Sequence, residues 1–221
     1  MSQITSRPQT ITIAVADPRI KPALMRKFVE GLLELGQVHY IDLDLQFSSL
    51  LQNLSDEEYL EIVADRSLHL IQPSDDILDV INFVSASETM IAGGVVILDS
   101  INSLQNLVAG SSSTHDSKTT NYRSSILISV IQMISRFYLK SFLILNVTKA
   151  RPKTQPDESI SWEKEIVGGR MMRYKSDLIL ETSELKQSIG ANSNPTAKFT
   201  LDREFSAKNG GEEKNVYTAD L

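Results

Sequence analysis

The chain has 221 residues, 41% hydrophobic and 23% charged, with a formal net charge of −6 and no cysteine. This composition is ordinary for a globular protein, and the absence of cysteine excludes disulfides, thiolate metal sites and thiol catalysis. No stretch reaches the roughly 20 apolar residues of a membrane span, and the N-terminus lacks the apolar core of a signal peptide. We therefore expect a protein of the cytoplasm or nucleus that is not secreted and contacts no membrane.

Predicted strands and helices alternate along the chain after a polar N-terminal tail at 1–10. Strands are expected at 11–15, 38–43, 68–71, 95–99, 142–146 and 177–181. Helices are expected at 22–35, 47–64, 75–90 and 124–139. Loops are expected at 102–123 and 148–167, and a hairpin at 197–201 and 215–218 around a turn at 208–211. The order predicts one α/β core domain over 11–221, a mostly parallel sheet flanked by helices and closed by an antiparallel C-terminal hairpin.

The apolar strand at 95–99 ends in Asp99 and is followed by Ser100. A run that is apolar at every position is typical of a strand covered on both faces, as in a parallel sheet. Because ligands of α/β proteins bind outside the carboxyl ends of the strands, Asp99 is a candidate for a ligand site. The alternative is that Asp99 only caps the loop after the strand.

Several short motifs follow one another in order along the chain. They lie at Tyr40 to Asp44, Ile71 to Ser74, Val95 to Ser100, Leu143 to Asn146, and Gly168 to Arg170 followed by Tyr174 to Leu178. Their order and spacing resemble the ATPase core of the RecA superfamily, and in particular the recombinases RadA and RecA and the short paralogue RadB. The resemblance spans residues 10–218 and implies a RecA-like fold.

The resemblance implies roles for three polar residues at strand ends. Asp99 lies on the strand that resembles Walker B, where an Asp orders a Mg²⁺-bound water. Asp44 matches the acid that activates the attacking water, and Asn146 matches the polar residue that senses the γ-phosphate. We expect all three to be relics with no catalytic role, because the phosphate-binding motif is degenerate.

The segment between the first strand and the first helix departs from the family pattern. A P-loop, GxxxxGK[ST], wraps phosphates with backbone N–H groups, and its Lys neutralises their charge. Here the loop has no glycine, and its chemistry-bearing positions are Asp17, Arg19, Lys21, Pro22 and Ala23. Pro22 and Ala23 stand where Lys and Ser/Thr are expected, and both prolines of the loop lack an amide donor. Lys21, one position out of register, could still meet a phosphate; otherwise we expect no nucleotide, cofactor or metal.

A basic segment after the fifth strand is the candidate contact for single-stranded DNA. It contributes Lys149, Arg151, Lys153, Trp162, Lys164, Arg170 and Arg173. Bases combined with a stacking ring suit sequence-independent binding of single strands. Acidic residues in the same segment leave a net charge of only +3 over 148–175. The alternative is a solvated loop with Trp162 packed into the core or against a partner.

Three functions are consistent with these patterns. The first is a non-catalytic recombinase paralogue that binds DNA, a partner recombinase or both in homologous recombination and DNA repair. The second is a structural RecA-fold subunit, comparable to the Elongator subunits of that fold, without a DNA role. The third is an atypical ATPase or KaiC-like protein. The expected partner is another RecA-fold subunit, in a homo- or hetero-oligomer, and residues 41–110, with twelve acids and one base, could face a basic neighbour.

Overall fold

A computed structural model describes residues 8–55, 68–72, 82, 93–110, 116–155, 159–186, 196–202 and 214–220, the last two ranges and 183–186 as backbone only. The strands of this part of the chain are β1 Thr10–Val15, β2 Val38–Asp42, β3 Leu68–Ile71, β4 Val95–Asp99, β5 Ser141–Val147, β6 Lys149–Thr154, β7 Ile160–Glu165, β8 Leu178–Lys186, β9 Thr196–Asp202 and β10 Lys214–Asp220. Its α-helices are α1 Lys21–Leu33, α2 Gln46–Gln52, α3 Ile101–Gly110, α4 Ser117–Phe137 and α5 Gly169–Lys175.

One eight-stranded sheet organises the molecule, in the order β10-β9-β8-β1-β5-β4-β2-β3. The strands from β8 to β3 run parallel to their neighbours, and β9 and β10 extend the sheet in antiparallel fashion. The predicted α/β class, with a mostly parallel sheet and a C-terminal antiparallel hairpin, is therefore confirmed. A separate two-stranded hairpin, β6–β7, follows β5.

The central strands are buried on both faces because helices cover each side of the sheet. On one face, Ile13 and Leu145 belong to a core cluster with Leu24 of α1. On the other face, Leu98 belongs to a cluster with Leu104 of α3 and with residues of α4. This two-sided burial explains why β4 and β5 are apolar at successive positions rather than at alternate ones.

The prediction of a loop over 102–123 is wrong, because α3 and the start of α4 occupy most of this range. Ile101, Leu104 and Val108 recur at helical spacing and are buried, which gives α3 its apolar face. Asp116 begins α4 as its N-cap, with its carboxylate accepting the backbone N–H groups of Lys118 and Thr119 at 3.2 Å each. Residues 111–115, the Ser-rich run between them, lie outside the described part.

The prediction of a long loop over 148–167 is also wrong, because β6 and β7 pair as an antiparallel hairpin. β-branched and aromatic residues alternate along β7, and such residues favour a pleated strand. Pro152 is tolerated because a two-stranded ribbon leaves one edge of each strand without ladder hydrogen bonds.

Other expectations fall partly outside the described residues. The helix expected at 47–64 is seen at 47–52 and is wrong at 53–55, because α2 ends at Gln52 with Asn53 as its C-cap; residues 56–64 lie outside the described residues. The helix expected at 75–90 lies outside them too, apart from Asn82. The turn expected at 208–211 and residues 1–7 of the expected tail lie outside them too, and β1 begins at Thr10, the last residue of that tail. Within the described residues, no helix has the length and apolar content needed to cross a membrane.

Candidate functional site

Three carboxylates meet at the carboxyl edge of the sheet. β2 and β4 are neighbours, and their last residues, Asp42 and Asp99, are register partners. Asp44 follows β2 by two residues. Each of the three aspartates places an oxygen within 4.8 Å of the others, which is a spacing that a divalent cation could bridge.

The ammonium group of Lys21 already lies among these carboxylates. Its Nζ donates a hydrogen bond to Asp44 Oδ2 at 2.5 Å and forms an ion pair with Asp99 Oδ1, also at 2.5 Å. The Lys21 side chain is only 1% exposed. Lys21 begins α1, so the start of this helix carries the cation to the edge where β2 and β4 end. A metal ion at the three aspartates would have to displace this ammonium group.

Burial raises the pKa values of two groups at the carboxyl edge of the sheet, the Asp99 carboxyl and the Tyr40 hydroxyl. It raises the pKa of Asp99 to about 6, although the nearby Lys21 ammonium opposes this rise. Tyr40 donates a hydrogen bond from its hydroxyl to Asp99 Oδ2 at 2.5 Å. Burial, together with the charge of Asp99, raises the pKa of Tyr40 well above its ordinary value, so Tyr40 stays a donor.

Asp42 has a local role in holding α2. Its Oδ2 accepts the backbone N–H of Ser48 at 2.7 Å and the Ser48 hydroxyl at 2.5 Å. Its Oδ1 is buried without a hydrogen-bond partner in the described part of the chain. Burial raises the pKa of Asp42 against these hydrogen bonds. Asp42 therefore positions the helix that follows β2, next to the charged pair formed by Lys21.

The loop after β1 offers no free amide over residues 18–22. The N–H groups of Arg19 and Ile20 donate to Asp17, at 3.0 Å to its carboxylate and 3.2 Å to its carbonyl. The N–H of Lys21 donates to the carbonyl of Pro18, and the two prolines have no N–H. The Asp17 carboxylate is also paired with the Arg19 guanidinium at 2.7 Å, and this hydrogen bonding lowers the pKa of Asp17 to about 2. Residues 18–22 therefore form a turn that leaves none of their amides for a phosphate.

Asn146, near the end of β5, is bonded on both sides of its amide. Its Nδ2 donates to the carbonyl of Val167 at 2.7 Å, and its Oδ1 accepts the N–H of Val167 at 3.0 Å. Both groups are buried, so Asn146 fixes the segment before α5 to the sheet.

The peptide bond between Asp99 and Ser100 is cis.

Two residues that hold other groups of the site in place, Asn102 and Tyr40, are not predicted from the sequence. Asn102 bridges both backbone groups of Val147, each at 2.9 Å, and so joins α3 to the end of β5. Tyr40 was noted only as part of a strand. No local pattern identifies either residue, because their partners lie 45 and 59 positions away in sequence.

The predicted DNA contacts are divided between the two faces of the hairpin and α5. Alternation along the strands puts Lys149, Arg151 and Lys153 on one face, and Trp162 with Lys164 on the other. On the charged face, Arg151 pairs with Glu165 at 3.2 Å, and Lys153 with Glu163 at 2.6 Å.

Trp162 is 68% exposed and is not part of the core of this chain. It lies opposite Pro152 on the hairpin, while Ile160 on the same face is exposed too. The two arginines predicted with it, Arg170 and Arg173, belong to α5. Arg170 and Lys149 of the hairpin line one groove of about 600 Å³.

Comparison with known proteins gives no relative for this chain: a scan against family models finds no match, and no curated protein matches its sequence. The likeness to the RecA core therefore rests on the order of the motifs. The function must be argued from the geometry of the carboxyl edge and of the exposed surfaces.

Proposed function

We propose that this chain is a RecA-like recombinase paralogue that does not hydrolyse ATP, and that it acts in homologous recombination and DNA repair by binding a partner recombinase, DNA or both. The RecA-like assignment comes from the ordered motifs at the strand ends. The absence of turnover comes from the site itself. Each part has its own support and its own test.

One observation carries the non-hydrolytic character: every residue from 18 to 22 either lacks an N–H or already donates it within the turn. Phosphate binding at a strand-to-helix loop depends on free amides directed at the ligand. Lys21 adds to this, because it would have to leave two carboxylates at 2.5 Å before it could meet a phosphate. These contacts disfavour the atypical ATPase.

The DNA role is supported by the exposure of the hairpin. Trp162 offers a face on which a base could stack, and base–aromatic stacking contributes about 1–3 kcal/mol per base. The side chains of Lys149 and Arg170 form no hydrogen bond or ion pair within the described residues, and both residues line the same groove. They are therefore open to a phosphate.

A structural subunit without a DNA role is the second candidate, and one observation favours it. Arg151 and Lys153 are paired with glutamates of the facing strand, so part of the positive charge of the hairpin is neutralised. Exposed ion pairs of this kind are worth only about 0.2–1 kcal/mol and can rearrange. They reduce the field that attracts DNA without removing it, which makes measured DNA affinity the discriminating quantity.

The test of the non-hydrolytic site measures binding and turnover together. We expect calorimetric titration with ATP and Mg²⁺ to give no binding heat, and phosphate release to equal the protein-free blank. Asp99→Asn is the matched variant, since it removes the carboxylate that a working site needs. Phosphate release by the wild type that disappears in Asp99→Asn would refute the proposal.

A further inference from the structure

Helix α4 has two apolar sides, and no described residue covers one of them. Its inner side buries Ile128 and Ile131 in the core. Its outer side carries a row of four large residues, each with between 45% and 79% of its surface exposed: Tyr122, Ile126, Met133 and Phe137. The spacings of four, seven and four residues place these four on one line along the helix. We call them the α4 stripe.

The size of the α4 stripe is that of a binding surface. From Tyr122 to Phe137 it runs about 22 Å along the axis, at 1.5 Å per residue. Between Ile126 and Met133 the stripe is interrupted by Ser129, whose hydroxyl accepts a hydrogen bond from the Lys175 ammonium group, so it consists of two apolar pairs, Tyr122 with Ile126 and Met133 with Phe137. Single exposed apolar residues are normal, whereas grouped ones mark interaction sites. Aromatic residues and methionine are the types enriched at protein interfaces, and three of the four residues are of these types.

The charged residues of α4 itself are all basic. Residues 117–137 include three bases, Lys118, Arg123 and Arg136, and no acid. Lys149 and Arg170 lie across the groove that Tyr122 also lines. A partner that covers the stripe therefore meets a basic border.

Among the described residues, three acids close to this surface already have partners. Asp116 caps α4, Glu165 pairs with Arg151, and Asp177 accepts the backbone N–H of Thr10 at 2.7 Å and contacts Arg136 at 3.4 Å. Lys118 and Arg123 have no ion-pair partner among the described residues. The uncompensated charge at the stripe is positive.

From this combination we propose that the α4 stripe docks an acidic amphipathic helix of a partner protein. Its apolar face would cover Tyr122, Met133 and Phe137 by packing one helix against another, and its carboxylates would meet the basic border. Pairing of two copies through α4 is disfavoured, because it would bring a basic border against a basic border. The inference goes beyond the proposed function, since the α4 stripe includes neither the carboxyl edge nor Trp162, although its border shares Lys149 and Arg170 with the proposed DNA contact.

The test uses a probe of known composition. A fluorescein-labelled 21-residue helical peptide with Leu at the a and d positions and Glu at the flanking positions is titrated with the full chain, and a peptide with Lys for each Glu is the control. We expect the acidic peptide to bind at least about tenfold more tightly than the basic one. Lys118→Glu with Arg123→Glu should reverse this preference, and added salt should weaken binding of the acidic peptide.

A double variant, Met133→Ser with Phe137→Ser, should weaken binding of the acidic peptide by at least about tenfold. Both side chains are exposed, so the fold should persist, and circular dichroism checks this. Ile160→Ser, an exposed apolar residue on the hairpin, is the matched control and should leave binding unchanged.

Three outcomes would overturn the inference. The first is equal affinity for the two peptides, or affinity that survives the double serine variant. The second is that the variant abolishes sedimentation with phosphatidylserine vesicles while neither peptide binds, which would assign the stripe to a membrane surface. The third is a dimer in light scattering that the variant converts to monomer, which would assign the stripe to a second copy. ATP and DNA measurements are unaffected by any of these results, so this inference can fail without the proposed function.

Discussion

Lys21 holds its charged group in the interior, 2.5 Å from an oxygen of Asp44 and 2.5 Å from an oxygen of Asp99. Burying charges is costly, and the mutual attraction of a buried pair offsets this cost only when the geometry is good. Removing one partner leaves an uncompensated charge, which is usually more harmful than removing both. The residue therefore has a measurable role in stability even if the site has no chemistry.

Replacing Lys21 by Met should destabilise the protein by about 3–5 kcal/mol at pH 7, because Asp44 and Asp99 then face each other without a cation. Urea denaturation measures this loss. Lys27→Met is the control on the same helix, and since Lys27 is exposed its loss should stay near 0.5 kcal/mol. Adding Asp99→Asn to Lys21→Met should recover part of the stability. Equal losses for Lys21→Met and Lys27→Met would contradict the ion-pair geometry.

The loss caused by Lys21→Met should depend on pH. The pKa of Asp99 in the folded state is about 6, above its ordinary value of 3.8, so between these values the folded state binds more protons than the unfolded state. This contribution to stability therefore falls as pH rises from about 4 to 6. Without Lys21 the pKa of Asp99 rises further, so the loss should grow with pH and be smallest near pH 4. A loss that does not change between pH 4 and 7 would refute this assignment.

The placement of the acids could be predicted from the sequence, whereas their cation could not. Asp42 and Asp99 end buried strands, and the ends of parallel strands meet at one edge. The contact from Lys21 to Asp99 joins residues that are 78 positions apart and leaves no local pattern. Lys21 also lies beside Pro22 in a loop whose composition indicates only a broken phosphate site.

At the scale of elements, α3 and the β6–β7 hairpin are the regions where sequence patterns gave the wrong structure. Ile101, Leu104 and Val108 do carry helical spacing, but the Ser-rich run that follows them favours a loop. The hairpin depends on pairing across residues 156–158, and its strands are exposed at nearly every position, so no buried alternation identifies them.

Variants of the hairpin can test DNA binding, because charge contacts and base stacking affect different measured quantities. Removing Lys149, Arg151 and Lys153 together should lower the slope of log affinity against log salt by up to about three for a duplex, and by less for a single strand. Fluorescence titration at several salt concentrations measures the slopes. Removing Arg19, Arg26 and Lys27 instead removes the same charge from the region of α1 and should leave the slopes unchanged.

Trp162→Ala should act on a different quantity. It should weaken single-strand binding by about 1–3 kcal/mol per stacked base, with no change in salt slope and almost no change for a duplex. The emission of Trp162 reports directly on stacking in the wild type. Unchanged emission, together with equal affinities for the wild type and the triple variant, would remove DNA from the hairpin and favour the structural subunit.

At the scale of the whole molecule, the sheet is a scaffold on which three separate surfaces are carried. The carboxyl edge has its own cation, the hairpin exposes Trp162, and α4 exposes an apolar stripe. The α4 stripe is apolar and is not covered by any described residue, and residues 18–22 leave no amide for a phosphate. Both features favour a protein that works by binding other macromolecules. The class of fold was predictable from the alternation of strands and helices, but these surfaces were not, because exposure is a property of the folded molecule.

Association with a RecA-fold recombinase of the same cell should therefore not require nucleotide. We expect a stable complex, with an interface of about 1,200–2,000 Å², whose mass in light scattering is the same with and without ATP and Mg²⁺. Chelation with EDTA should have no effect, which serves as the control for metal. A strict monomer that retains no recombinase on an affinity column, or a complex that forms only with ATP, would contradict this expectation.

An ammonium group attached to the chain has a local concentration that the surrounding medium does not set. Free Mg²⁺ and nucleotide rise and fall in a cell, whereas the Lys21 ammonium group, which the chain itself holds beside Asp44 and Asp99, should follow neither. Of the conditions that control an ATPase site, only pH acts on this one. If the chain joins an assembly whose other members cycle between nucleotide states, as proposed above, its carboxyl edge should keep one geometry, and its neighbours should meet a fixed boundary at every step.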